Sequence, residues 1–289
     1  MSSLRPDLVA GGPPSEPHRR ARRFSASTIV AGVVLGVIIL AALFPGLLAT
    51  HDPNATNLPD AMASPGADHF FGTDKLGRDV FSRVVYGARI SLSFGFVATV
   101  VAVTIGALVG LLAGLAPRFV DHVIMRFLEI MLAFPELLVA LVVVALLGPG
   151  TTNVVIAVTI AAVPTYARIV RISTIQIRSS LFVEAATALG QRRPTIVVRH
   201  VLPNVIGPLL VLATIGVGTA IIAGSGLSFL GLGPVAPSPE WGLELSAGRD
   251  LLGTAWWVAV FPGLAITATV ISTTIIGRKL QRRFEGRTV

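Results

Sequence analysis

The sequence predicts an all-α integral membrane protein that crosses the bilayer six times. Its mean hydropathy is +0.79, and 53% of its 289 residues are hydrophobic while only 13% are charged. A composition of this kind leaves too few polar side chains to cover the surface of a soluble domain. The apolar residues also form long runs with basic residues at their ends, the distribution that the positive-inside rule gives to cytoplasmic loops.

The two ends of the chain differ from the middle. Residues 1–25 are rich in proline, glycine, serine and arginine without any hydrophobic period, which predicts a disordered cytoplasmic tail. Residues 26–284 are expected to form the membrane domain, and residues 285–289 a short C-terminal tail. The first apolar run, residues 28–48, has 21 residues, close to the about 20 that cross the bilayer. A signal peptide is the alternative, but the run is long for one and lacks a clear cleavage site.

The segment after the first span is predicted to stay outside the membrane. Residues 51–69 are polar and rich in turn formers, which indicates an external loop. From Asp74 onward apolar and charged residues alternate with a helical period, so residues 74–84 are predicted to form an amphipathic helix on the membrane surface. The second span, residues 90–115, carries glycines at four-residue spacing that allow another helix to approach closely, namely Gly106, Gly110 and Gly114.

The third predicted span, residues 125–147, carries two acidic residues. Glu129 and Glu136 are seven residues apart and share one face of a straight helix. Glu129 lies near the predicted cytoplasmic end, where it can pair with Arg126, whereas Glu136 falls near the middle of the bilayer. Ionisable groups at that depth are costly and usually face a bundle interior or an aqueous path. Glu136 is therefore either a hydrogen-bonded packing residue or a pathway residue that meets a cationic group of a substrate. Glu129 is the second candidate for the pathway.

Three further spans complete the domain. They are predicted at residues 154–170, with a kink or break near Pro164, at residues 205–223 and at residues 257–276. Arginines flank residues 172–204, which we therefore expect to be cytoplasmic. The tryptophans are predicted to mark the outer interface. Six spans place both termini in the cytoplasm.

A polar island interrupts the apolar runs at residues 184–203. Leu181, Ala185 and Leu189 recur with the spacing of one helix face. Gly190 then allows the left-handed conformation that ends a helix, and Pro203 is expected to close the segment. A short amphipathic helix with a glycine turn and a basic flank suits docking into a groove of another protein.

This island resembles the EAA loop of binding-protein-dependent ABC importer permeases. The match consists of Glu184-Ala185-Ala186, then Gly190, then Leu202-Pro203. Four other segments extend the resemblance over about residues 26–284. These segments are residues 71–79 (FGTDKLGRD), 227–233 (LSFLGLG), 239–242 (PEWG) and 261–264 (FPGL). They indicate the dipeptide, oligopeptide and nickel branch of the family, and its C-type permease subunit.

The resemblance implies a MetI-like, type I importer fold and a set of partners. These are a homologous permease subunit in a heterodimer, ABC ATPase subunits that hold ATP and Mg²⁺, an extracytoplasmic substrate-binding protein and the lipid of a bacterial plasma membrane. It also implies alternating access for di- or oligopeptides, with nickel, glutathione or another small solute as alternative substrates. The residues expected to couple to the ATPase are Glu184 as polar anchor, Ala185 and Ala186 for close approach, Leu189, Gly190 for the turn, and Leu202 with Pro203 for the path into the next span.

Sequence signatures of catalysis are missing. The chain has no P-loop, no Gly-x-Ser-x-Gly, no Gly-x-Gly-x-x-Gly and no His-Glu-x-x-His. It has no cysteine, and its five histidines show no ligand-like spacing. We therefore expect no catalytic residue, metal or cofactor in this chain, and no nucleic acid despite the net charge of +8. A stand-alone channel, a secondary transporter or a membrane enzyme is the alternative from another class.

Overall fold

The computed structural model describes residues 26–285, with side chains up to Arg282. The predicted tail at residues 1–25 and residues 286–289 lie outside this range. Within the described range the regular secondary structure is helical, apart from one isolated bridge between Thr73 and Asp79, and irregular segments connect the helices. The helices are α1 (Ala26–Leu43), α2 (Pro45–Leu48), α3 (Val80–Leu115), α4 (Arg118–Leu132), α5 (Glu136–Leu147), α6 (Thr151–Arg178), α7 (Leu181–Ala188), α8 (Arg193–Ile196), α9 (Leu202–Phe229), α10 (Trp241–Arg249) and α11 (Trp257–Glu285).

The predicted all-helical membrane domain is confirmed. Five helical stretches are long and apolar enough to cross a bilayer, and these are α1, α3, α6, the run Arg193–Phe229 that ends in α9, and α11 up to Arg282. The sixth candidate is the pair α4 and α5, whose axes meet at 90°. The count of six therefore holds when this bent pair is taken as one span.

The bend between α4 and α5 corrects the expectation of one straight third span. Residues 133–135 separate the two helices. Pro135 has no N–H to donate, and its ring disfavours helical backbone at the preceding residue, Phe134. The apolar run therefore has the length and composition of a membrane span, but Pro135 divides it into two helices.

The expected surface helix over residues 74–84 is wrong. Residues 72–79 form a tight loop in which Gly72 and Gly77 have φ of +70° and +71°. The Asp74 carboxylate accepts the Leu76 N–H at 2.8 Å, which stabilises a turn and not a helix. Helix α3 begins only after this loop and then continues without a break as the second span.

The bundle has two distinguishable ends. At the start of α3, Val80 packs with Trp257 and Ala255. Near the end of α3, a Cβ added to Gly114 would lie 2.8 Å from Thr174, which is close to the end of α6. We call the end of the bundle at which α3 begins the α10 end, because α10 and residues 50–79 lie there. We call the end at which α3 terminates the α7 end.

Close packing of α3 against α6 depends on the predicted glycine face. A Cβ on Gly106 would lie 2.6 Å from Tyr166 Cβ, and one on Gly110 would lie 2.4 Å from the Ala167 carbonyl oxygen. Distances below 3 Å leave no room for a side chain, so the two helices meet backbone to backbone. The prediction that these glycines serve helix packing is confirmed.

Two predictions about helix ends and aromatic residues need correction. Helix α6 continues through Pro164 and α9 continues to Phe229, beyond the expected ends.

Trp241 and Trp257 are buried, and their indole N–H groups donate to the carbonyls of Val84 and Thr73 at 2.8 and 3.0 Å. They therefore belong to the core of the α10 end rather than to a membrane interface.

Buried charges and carbonyls hold the α10 end together. Arg83 is 1% exposed and donates to Glu244 at 2.5 Å and to the Pro53 carbonyl at 2.6 Å. The carboxylate of Glu240 accepts the backbone N–H groups of Gly242 and Leu243 at 2.9 and 2.8 Å, which caps the start of α10.

Candidate coupling and transport sites

Helix α7 presents one face to the protein and the other to the surroundings. Val183 and Ala186 are buried, with 5% exposure each. On the opposite face Leu181 is 84% exposed and Leu189, just after the helix, is 81% exposed. Ala185 between them is also exposed. The face that the sequence predicted for docking is therefore an apolar surface that the chain itself does not cover.

The turn after α7 has the geometry expected of a glycine-terminated helix. Gly190 has φ of +74°. Its N–H donates to the Thr187 carbonyl at 3.0 Å, and the Gln191 N–H donates to the Ala186 carbonyl at 3.1 Å. This pair of bonds is a Schellman motif, which satisfies two carbonyls at the helix end. No atom lies within 4 Å of the position of a Gly190 Cβ, so the requirement for glycine is conformational and not steric.

The alanines of the loop divide between the two faces. Ala185 is exposed, as a contact residue must be. Ala186 instead packs in a cluster with Tyr166, Ile196 and Val201. Its small side chain lets α7 approach the body of this protein, which corrects the expectation that it borders a partner. The reason is that residues 185 and 186 are about 100° apart around a helix. Glu184 is exposed beside Ala185.

The segment after the turn does not end at Pro203. The helical run continues from Arg193 to Phe229 through a five-residue π-helical turn, Val197–Val201. The Leu202 N–H donates to the Val197 carbonyl five residues earlier. The wider π turn accommodates Pro203, which has no N–H of its own, within the first turn of α9. Leu202 is half-buried and Pro203 exposed.

Glu136 lines a cavity in the interior of the bundle. The cavity has a volume of about 190 Å³ and lies between α3, α5, α6 and α9. Thr99, Thr165, Tyr166 and Thr219 contribute hydroxyl groups to its lining. The Thr99 Oγ1 atom is buried and has no hydrogen-bond partner among the described residues. The cavity thus offers one carboxyl group and several hydroxyl groups to a polar molecule.

Glu129 does not share this environment. The bend at residues 133–135 places Glu129 on α4 and Glu136 at the start of α5, so the common face expected from a straight helix is absent. The Glu129 side chain is 55% exposed and lies 3.9 Å from Arg126, as the sequence predicted for that pair. The two carboxylates therefore form no joint acid–base site.

One group of potential ligands was missed by sequence reasoning. His51, His69 and Asp79 each place a ligand atom within 4.8 Å of the others at the α10 end. They come from an irregular loop and the helix that follows it, separated by 18 and 10 residues. No periodic pattern relates such positions, so only the three-dimensional course of the loop reveals the group.

A helical membrane bundle with a small cavity that carries a carboxyl group and hydroxyl groups, and with an exposed short amphipathic helix, has the architecture of a membrane transport subunit. The family model described as the binding-protein-dependent transport system inner membrane component matches residues 102–288. The chain belongs to this family and is a multi-pass ABC importer permease, a membrane component rather than an enzyme.

Relatives of known assignment agree with this membership. The chain is 44% identical over 253 residues to the dipeptide transport system permease protein DppC of Alkalihalophilus pseudofirmus. The aligned region covers 88% of this chain and 83% of that protein. It is 38% identical over 253 residues to the probable D,D-dipeptide transport system permease protein DdpC of Escherichia coli K12, covering 88% and 85%. It is 41% identical over 282 residues to the glutathione transport system permease protein GsiD of another Escherichia coli strain, covering 97% and 92%.

A solved structure has the same fold. The structure of inward facing conformations of the MetNI methionine ABC transporter matches with a TM-score of 0.56 at 20% identity, over 69% of this chain and 95% of the matched chain. At this level of identity the likeness concerns the fold alone. The expected MetI-like fold is confirmed.

Proposed function

We propose that this chain is one of two homologous permease subunits that import di- or oligopeptides by alternating access. ATPase subunits that hold ATP and Mg²⁺ bind α7, and an extracytoplasmic binding protein delivers the peptide to the α10 end. The relatives named as dipeptide permeases support the substrate class. The observation that carries the mechanism is the exposed apolar face of α7, formed by Leu181, Ala185 and Leu189.

This face suits a groove on an ATPase subunit in a specific way. Two leucines that are more than four-fifths exposed cost free energy in water, at about 25 cal/mol per Å² of apolar surface. Burial in a partner removes that cost, as for other amphipathic helices that bind in grooves. Exposed arginines surround the α7 end at Arg178, Arg192, Arg193 and Arg199. Their positions support a cytoplasmic α7 end, and with it both termini in the cytoplasm.

A contiguous set of side chains connects α7 to the cavity. The inner face of α7 packs through Ala186 on the cluster that contains Tyr166. Tyr166 also lines the cavity beside Glu136. Closure of the two ATPases would move α7, and the rigid packing would transmit that displacement to α6 and α9, which form the cavity walls. Motion at the ATPase is thereby converted into a change of access to the cavity.

The coupling proposal is tested by charge substitutions on the exposed face of α7. In the assembled transporter reconstituted into liposomes, Leu181→Glu and Leu189→Glu should abolish ATP-dependent peptide uptake and release the ATPase subunits, since each places a charge in an apolar contact. The control is Gln176→Glu, an exposed polar position at the end of α6. It should transport normally. Full uptake with both leucine variants would contradict the proposal.

Ala186→Glu gives a different result and separates the two faces of α7. Because Ala186 is buried against the chain's own cluster, the charge should destabilise the permease itself. We expect a lower yield of folded subunit, measured by size-exclusion chromatography, before any question of ATPase binding arises. A well-folded Ala186→Glu subunit that merely fails to bind the ATPase would place Ala186 at the partner interface instead.

Glu136 is proposed to meet the peptide in the cavity. A carboxylate among threonine and tyrosine hydroxyls can accept the ammonium group of a peptide N-terminus. Glu136→Gln removes the charge but keeps the size, so uptake should fall about tenfold to hundredfold, as expected from the about 1.5–3 kcal/mol of a hydrogen bond to a charged group. Unchanged uptake and unchanged preference between free and N-acetylated peptides would leave Glu136 a packing residue.

Glutathione is a second candidate substrate. A relative that covers nearly the whole chain carries that name. Competition in the same liposomes distinguishes dipeptide from glutathione as the substrate. An excess of unlabelled dipeptide should block uptake of labelled dipeptide. An excess of glutathione should block that uptake only if glutathione uses the same transporter. Dominant inhibition by glutathione would shift the assignment to that solute.

A further inference from the structure

The α10 end holds a cluster of side chains that the transport mechanism does not use. Two imidazoles face one carboxylate there. His69 Nδ1 lies 2.9 Å from Asp79 Oδ1, and His51 Nδ1 lies 3.9 Å from Asp79 Oδ2. The planes of the two rings are inclined at 37°, and their centroids are 4.8 Å apart. All three side chains therefore converge on one small volume.

Among the described residues, Asp79 lacks the guanidinium partner that two of the buried carboxylates at the α10 end have. The side chain of Asp79 is only 1% exposed. Two other buried carboxylates at this end each have a guanidinium partner, Asp74 with Arg78 at 2.6 Å and Glu244 with Arg83 at 2.5 Å. In the part of the chain that the structure describes, the ionisable partners of Asp79 are the two imidazoles. A buried carboxylate calls for a cationic partner, and this cluster supplies ligands in place of a fixed cation.

The donor types and their spacing fit a transition metal ion. We propose that His51, His69 and Asp79 bind one Zn²⁺ ion, or a divalent ion of the same class. Two ligands of one Zn²⁺ ion, each at about 2.0–2.2 Å, lie within about 4.2 Å of each other. His69 meets that limit with Asp79 Oδ1 and His51 meets it with Asp79 Oδ2, while one ligand atom from each of the three residues lies within 4.8 Å of the others. The 4.8 Å spread exceeds that limit, so binding one ion requires the exposed His51 imidazole to leave the Thr50 hydroxyl, 3.0 Å from its Nδ1, and move toward Asp79.

Outer contacts orient the carboxylate for this role. The Ser82 N–H donates to Asp79 Oδ2 at 2.8 Å, and the Thr50 hydroxyl lies 3.5 Å from the same oxygen. Oδ1 then points to His69. Ligating carboxylates are commonly held by such hydrogen bonds. Imidazole ligands favour Zn²⁺, Cu²⁺, Ni²⁺ or Fe²⁺ over Mg²⁺ and Ca²⁺. Three protein ligands leave a further position for water on the side where His51 is exposed.

The ion would fasten the loop of residues 50–79 to the bundle. His51 follows α2, His69 lies in the middle of the loop, and Asp79 caps the start of α3. One ion bound to all three closes two stretches of irregular chain onto a membrane helix. Because binding occurs only when the loop is folded, it stabilises the α10 end. This inference stands independently of the proposed substrate.

Cobalt titration of the full chain tests the site. The protein is purified in detergent without a polyhistidine tag, stripped with a chelator and titrated with Co²⁺, whose visible absorption reports imidazole and carboxylate ligands. We expect one Co²⁺ per chain, displaced by Zn²⁺, and a rise in the apparent melting temperature on binding. His51→Ala and His69→Gln should each lower the affinity by at least about tenfold, the smaller of the effects known for outer-shell partners.

The variants are chosen so that the chain still folds. His51 has an exposed side chain, and Gln at position 69 can still donate a hydrogen bond to Asp79. His122→Ala is the matched control, since His122 is an exposed histidine on α4. It should bind Co²⁺ as the parent protein does. Absence of saturable Co²⁺ binding, or equal affinity in the parent, His51→Ala and His69→Gln proteins, would overturn the proposal and leave the cluster a set of hydrogen bonds.

Discussion

At the residue scale, the α10 end is built around fully buried charges. Arg83 satisfies Glu244 and the Pro53 and Pro237 carbonyls, at distances of 2.5, 2.6 and 3.1 Å. Burial raises the pKa of the Glu240 carboxyl, while the N–H groups of Gly242 and Leu243 act in the opposite direction. A guanidinium with several fixed donors suits such a junction, because it can bind carbonyls from separate loops at once.

Removal of one member of the buried pair should therefore be costly. Glu244→Gln leaves the Arg83 charge without its counter-ion, and such losses amount to about 3–5 kcal/mol. The apparent melting temperature of the purified chain should fall sharply. Asp250→Asn is the control, since the Arg249–Asp250 pair has side chains that are 60% and 79% exposed and exposed pairs contribute about 0–1 kcal/mol. Equal melting temperatures for both variants would contradict the account of Arg83.

At the element scale, two glycine-dependent features determine the geometry of the helices. One is the turn after α7, where the backbone of Gly190 is left-handed. The other is the contact of α3 with α6, where Gly110 meets the backbone of Ala167. The first requires a conformation and the second requires space, so the same replacement by alanine fails for different physical reasons at the two positions.

Gly190→Ala tests the turn. Left-handed backbone costs a residue with a Cβ about 1–2 kcal/mol, so the end of α7 should fray and its amides should exchange hydrogen faster. Gly253→Ala is the matched control, because Gly253 lacks a left-handed φ and has no atom within 4 Å of its Cβ position. Its exchange rates should match those of the parent protein. Unchanged exchange in α7 with Gly190→Ala would show that the Schellman geometry is not needed.

Gly110→Ala tests the helix contact. The added Cβ would lie 2.4 Å from the Ala167 carbonyl oxygen, and overpacking of this kind costs about 1–3 kcal/mol. Thermal unfolding in detergent should show a lower melting temperature than that of Gly36→Ala, where nothing lies within 4 Å on α1. If both variants unfold together, the contact between α3 and α6 is looser than the structure indicates.

At the scale of the whole molecule, the two ends have separate tasks. The α7 end carries an exposed apolar helix, and the α10 end carries buried ion pairs, a capped helix and the histidine cluster. The cavity with Glu136 lies between them and shares Tyr166 with the cluster beneath α7.

The orientation of the two ends is testable because the chain contains no cysteine. A single cysteine at the exposed Ser64 should react with a membrane-impermeant maleimide in cells with a permeabilised outer envelope and an intact inner membrane. One at Leu189 should react only after the inner membrane is opened. Labelling of Leu189→Cys from outside would reverse the topology and remove the basis for ATPase binding at α7.

The sequence by itself determined the class of fold. Apolar runs of membrane length, arginines at their ends and glycines at four-residue spacing act locally or along one helix, so their effects are readable without coordinates. The exposed apolar face of α7 and the left-handed Gly190 belong to the same category. Each follows from the period of a helix or from the backbone freedom of one residue.

The tertiary structure decided which of these residues meet. Pro135 divided the third span, separated Glu129 from Glu136 and placed Glu136 at the cavity. The packing of α7 on the bundle turned Ala186 inward. Contacts between residues distant in the chain, such as Asp79 with His69 and His51, depend on the path of an irregular loop. No periodic pattern encodes that path, because it is fixed by glycine turns and buried hydrogen bonds acting together.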